Sequence, residues 1–154
     1  MKKQYFSKKI FAITAASVFS VGICTPALAE NATGARPLEL RKIMQELDKN
    51  MQIITASIAR EDWALVTKIA PRIAEHPQPP LDEKMRILAF IGADAGKFES
   101  HDETTHQAAR ALEQVAERND GQGVIAAFAN LQNSCLACHQ SFRKPFVEHF
   151  YGQR

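Results

Sequence analysis

Residues 40–58 read LRKIMQELDKNMQIITASI. Leu40, Ile43, Met44, Leu47, Met51, Ile54 and Ile58 recur there in steps of three and four. That spacing lines one face of an amphipathic helix and predicts one over roughly 37–59. Pro37 suits its first turn. Moving outward, Trp63, Val66, Ile69, Ala70 and Ile73 form the face of a second helix over about 62–75. Asp62 is its expected N-cap, and Pro71 predicts a kink or an early end. His76-Pro77-Gln78-Pro79-Pro80 reads as a stiff extended connection. A short helix over about 81–91 is expected to turn Met85, Leu88 and Phe90 inward. Gly92 to Glu99 reads as a loop with two glycines. A helix over about 101–119 carries His106, Ala109, Leu112, Val115 and Ala116, and Asn119-Asp120-Gly121 breaks it. The last helix is expected from near Gly123, through Val124, Phe128 and Leu131, into Cys135. No segment alternates long enough for a strand. The expected fold is all-α, an up-down-up-down four-helix bundle with an extra short helix in the connection between the second and third main helices.

The 154 residues suffice for one domain, and 45% apolar with 23% charged residues exclude a disordered or collagen-like chain. The first 29 residues carry a separate message. Lys2, Lys3, Lys8 and Lys9 precede an uncharged run from Ile10 to Ile23, and Ala27-Leu28-Ala29 closes it. This is the three-part pattern of a cleavable secretory signal, with cleavage expected after Ala29. The run is shorter than the roughly 20 residues of a spanning helix. Residues 1–29 are therefore read as signal and 30–154 as the domain, bound for the periplasm. Removing four lysines and no acids turns the formal charge of +2 into −2 and leaves Cys135 and Cys138 of the three cysteines. No basic cluster or aromatic platform supports nucleic-acid binding.

Those two cysteines stand in Cys135-Leu136-Ala137-Cys138-His139. On a helix, steps of three and four put both thiols and the imidazole on one side. Two thiols can add to the two vinyl groups of haem, and the next imidazole can reach the iron; C-x-x-C-H is the c-type haem attachment motif. Rival readings lack their context. A redox pair needs a β-α-β setting, a zinc site needs another placed ligand, and a structural disulfide leaves His139 unexplained. The cofactor expected is one covalently bound haem c.

At these residues the chain resembles the cytochrome c′ superfamily, the helical-bundle class of c-type cytochromes. Cys135 to Arg143 is similar to its C-x-x-C-H-x-x-[Tyr/Phe]-Arg pattern. The resemblance implies that Arg143 lies beside the haem, although a cation near a helix C-terminus needs no such role. Phe142, Phe146 and Phe150 are helically spaced and expected to cover core or haem edge. Pro145 departs from the family's run and predicts a kink or end of the helix near the haem.

The family holds both six-coordinate and five-coordinate members. Lys42-Ile43-Met44 and Asn50-Met51 resemble the first helix of its low-spin members, which makes Met44 the candidate distal ligand. A methionine on an apolar stripe is otherwise core filling, the reading kept for Met51. His106 is the rival ligand; His76, His101 and His149 read as loop or terminal residues, and Trp63 as porphyrin-packing or core. The function expected is one-electron transfer, with no reaction on a substrate and so no enzyme activity. Its partners would be periplasmic or membrane-bound redox proteins, and the resemblance implies a possible homodimer. The alternative is an open-sited cytochrome c′ that binds NO or CO.

Overall fold

A computed structural model describes residues 37–152. The expected signal segment and its cleavage point after Ala29 lie outside the described residues. The order is α1 (Leu40–Ile58), α2 (Trp63–Ala74), α3 (Leu81–Ile91), a single 3-10 turn at Gly92–Asp94, α4 (Ala95–Glu117) and α5 (Gly121–Tyr151). There is no strand among the described residues.

The helix ends follow from local chemistry. No side chain of its own caps α1. Instead the buried carboxylate of Glu83, on α3, accepts from the backbone N–H groups of Glu39 and, at 2.8 Å, of Leu40. An anion at the positive end of a helix satisfies donors that nothing else would. Asp62 caps α2 by accepting from the Leu65 N–H at 3.0 Å, and Asp120 caps α5 by accepting from that of Gly123 at 2.9 Å.

Several boundaries differ from the sequence reading. Pro71 does not end α2 early, because Ile69, Ala70, Ile73 and Ala74 are buried on both sides of it. On α3, Met85 and Leu88 are exposed, and Glu83, Ile87 and Ile91 face inward. The expected loop at 92–99 is mostly helix: α4 starts at Ala95, where Phe98 packs edge-on against Phe142 with centroids 5.2 Å apart. α5 begins two residues before Gly123, and the ring of Trp63 closes on Gly121, where a Cβ would stand 3.1 Å from it. Pro145 neither ends nor shortens α5, which runs on to Tyr151. Phe142, Phe146 and Phe150 are all buried, so packing across the proline outweighs its missing hydrogen bond.

Four main helices make the bundle. α4 packs against both α2 and α5, and α1 packs mainly against α2. His76, just past α2, meets Asp102 and His106 in the first half of α4, so these helices run in opposite directions. Leu38, just before α1, packs with Phe142, Phe146 and Phe150 near the end of α5. α1 therefore also opposes α5, yet the two touch far less than α4 and α5 do. Two cores result. One joins Ile54, Val66, Ile73, Leu112, Val124 and Leu131; the other is an aromatic cluster around Phe142, Phe146 and Phe150. No helix among the described residues is long and apolar enough to cross a membrane.

Candidate functional site

Cys135, Cys138 and His139 sit midway along α5, within two turns. Both thiols are free and half-buried. Cys135 packs against the first core and Cys138 against the aromatic one, so the pair spans the seam between them. Burial pushes the Cys135 thiol up. Cys138 is pushed up to about 11, by burial first and then by the negative charge of Asp102. Both are held as S–H at neutral pH, the form that adds across a vinyl double bond. Partial burial and the nearby Arg143 charge push the His139 imidazole down. It is therefore neutral at pH 7, with a lone pair free for a metal.

The exposure of His139 identifies what the site fits. Successive residues turn about 100° around a helix, so His139 points within about 20° of both Phe146 and Phe150. Those phenylalanines are 8% and 4% exposed, whereas His139, on the same core-facing strip, is exposed. α1 and α5 make few contacts, and the strip is open at His139. Nearby, His101 Nε2 is buried without a hydrogen-bond partner, its ring 6.0 Å from that of Phe142. Two thiols, a neutral imidazole and an uncovered core face fit a flat group held by covalent bonds and one axial nitrogen. The residues present therefore fit haem c.

The other expected residues fall in different settings. Phe142 is buried, with Phe98 and His101 against its ring and the Lys97 ammonium 5.8 Å from its centroid. Arg143 is exposed, one turn after His139. Met44 is 37% exposed on α1, while Met51, two turns later on the same face, packs into the first core. His106 Nε2 lies 3.0 Å from His76 Nε2 and 3.7 Å from an Asp102 oxygen. Trp63, the first residue of α2, packs on the first core and against Gly121 of α5, fourteen residues before Cys135.

Sequence reading assigned no role to His76, His101 or His149 beyond loops and termini. All three do more. His149 stacks on Phe90 with centroids 4.1 Å apart. His76 is almost fully buried, hydrogen-bonded to Asp102 at 3.2 Å. The sequence signal for that cluster is Asp102 and His106, four apart on one helix face.

Neither a curated protein nor a solved structure matches the chain. A family model described as Cytochrome C′ matches residues 38–143, from the turn before α1 through the haem-type motif to Arg143. With an all-helical bundle and a clamp suited to covalent haem on its last helix, the chain belongs to the cytochrome c′ family, and that membership implies a covalently bound c-type haem.

Proposed function

We propose that the protein is a periplasmic one-electron carrier with one haem c, held by Cys135 and Cys138 and ligated by His139 and Met44. Bound haem would supply a one-electron iron couple and no reaction on a substrate. The chain's own residues do the rest. The two thiols would fix the group to α5, and His139 would present a neutral nitrogen on the same side. Phe142 helps keep water from that face, and Arg143 adds a positive charge one turn away.

The observation that carries the Met44 assignment is a chain of neighbours. Ile43 and Leu47 share a cleft with His76. His76 bonds to Asp102, and the charge of Asp102 reaches Cys138. Met44 lies in the same turn of α1, and its thioether is not packed away in the core. The rivals are engaged elsewhere: His106 with His76, and Met51 with the first core. A methionine–histidine pair raises the potential and suits electron transfer. The reading includes a signal segment cleaved after Ala29 and redox-protein partners in the periplasm or on a membrane.

A second reading is a five-coordinate haem that binds NO or CO. Membership of the cytochrome c′ family favours it at least as well, and the partial exposure of Met44 fits a weakly held or absent ligand. Absorption spectra of the purified protein separate the two. The carrier reading expects low-spin spectra in both oxidation states, a weak far-red band in the ferric form and no carbon monoxide binding. A high-spin ferric spectrum with ready carbon monoxide binding after reduction overturns it in favour of the second.

A further inference from the structure

His76, Asp102 and His106 come together from three places: the end of α2 and two turns of α4. Their side chains are 6%, 36% and 16% exposed. The two Nε2 atoms are 3.0 Å apart, His76 Nε2 is 3.2 Å from one Asp102 oxygen, and His106 Nε2 is 3.7 Å from the other. In a tetrahedral zinc site with bonds of about 2.0–2.1 Å, neighbouring ligand atoms stand about 3.3 Å apart. The observed edges scatter around that value.

The outer hydrogen bonds point the same way. His76 Nδ1 lies 3.1 Å from the carbonyl oxygen of Pro77. A carbonyl can only accept, so Nδ1 carries the hydrogen, and in the neutral ring Nε2 is a bare lone pair. That lone pair faces a carboxylate oxygen and a second imidazole nitrogen. A hydrogen from His106 Nε2–H, a protonated imidazole or a metal ion could each hold the three groups together. His106 shows the matching outer arrangement, with Nδ1 3.7 Å from a Glu103 carboxylate oxygen. Imidazoles that bind metals through one nitrogen regularly offer the other to a carbonyl or carboxylate. Gln78 hydrogen-bonds Asp102 and steadies the third group. A cleft of about 380 Å³ between α1 and α2 reaches His76.

We propose that His76, Asp102 and His106 form a binding site for a divalent transition-metal ion, separate from the haem iron, with Nε2, carboxylate and Nε2 as ligands. Two imidazoles and one carboxylate suit zinc and its neighbours, and the fourth position is left to solvent.

Zinc is the probe, since it has no redox chemistry of its own. Titration of zinc chloride into the haem-loaded protein, followed by calorimetry, should show one ion per chain. His76→Ala and the nearly isosteric Asp102→Asn should each weaken binding at least tenfold. The haem spectrum should stay unchanged on zinc addition and in the His106→Ala variant. Absence of zinc binding overturns the proposal, as does wild-type affinity in natively helical Asp102→Asn. Conversion of His106→Ala to a high-spin haem also overturns it, because that result puts His106 on the iron.

Discussion

Asp102 shows how much one side chain can set at the scale of the residue. It lies 3.2 Å from His76 Nε2 and accepts from it when that imidazole is protonated, presses on the Cys138 thiol through its charge, and stands beside His106. In the metal-free protein its hydrogen bond holds the His76 pKa above the ordinary 6.5, and His76 holds Asp102 below 3.8. The His76 contribution is present below pH 6.5 and is lost as pH rises through the raised pKa. The Asp102 contribution is present above pH 3.8 and is lost as pH falls through the lowered one. Denaturation midpoints of wild type and Asp102→Asn should therefore differ most near pH 5–6 and converge once pH passes the raised His76 pKa. A gap that grows with pH would contradict the pairing. Met44→Ala, on the carrier reading, should turn the iron high-spin and let carbon monoxide bind the ferrous protein; an unchanged spectrum points to Met51 or His106. Cys135, Cys138 and His139 were legible because covalent attachment dictates their spacing in sequence. His76 was not, because its partners lie 26 and 30 residues away and its own neighbourhood is proline.

Among the elements, α3 has a use that its sequence conceals. Its apolar residues Leu81, Met85 and Leu88 are exposed, while charged Glu83 is buried. Hydrophobic spacing pointed to the wrong face because the demand came from α1, whose first N–H groups have no acceptor of their own. Glu83→Ala would leave those half-buried donors without a partner and should lower stability by about 1 kcal/mol in urea titration. Glu83→Gln, which keeps an acceptor oxygen, should lose less. α5 gives a prediction of the opposite sign. Pro145 is exposed within a helix that continues past it, and it leaves the Ser141 carbonyl without its helical donor. Alanine there restores the donor, at some loss of unfolded-state restriction. Pro145→Ala should stabilise the protein by about 2 kcal/mol, read as a raised denaturation midpoint. The start of α4 was misread for a related reason: Gly92 and Gly96 suggested a loop, but Phe98 docking on Phe142 and Phe146 draws the chain into helix.

Taken as a whole molecule, the bundle was legible from three-and-four spacing, since each main helix shows its buried stripe in sequence. How the stripes divide was not. Two cores form, one aliphatic and one aromatic, and the thiols lie at their boundary. A group attached there would join both cores and cover the exposed strip at His139. The double substitution Cys135→Ala with Cys138→Ala should abolish covalent haem, read by intact mass, and lower the thermal midpoint. A double variant with wild-type helicity and midpoint would show that the haem adds nothing to the fold.

Trp63 makes these variants easy to follow. It is the sole tryptophan, and its ring rests on Gly121 at the start of α5. Along the helix axis, that point is about 21 Å from Cys135. Haem absorbs where tryptophan emits, so at this separation excitation of Trp63 passes to the cofactor and the folded protein is dark. Unfolding lengthens the path between them and restores the emission. The bundle thus carries its own optical ruler, with the donor on α2 resting against the start of the helix that would hold the acceptor.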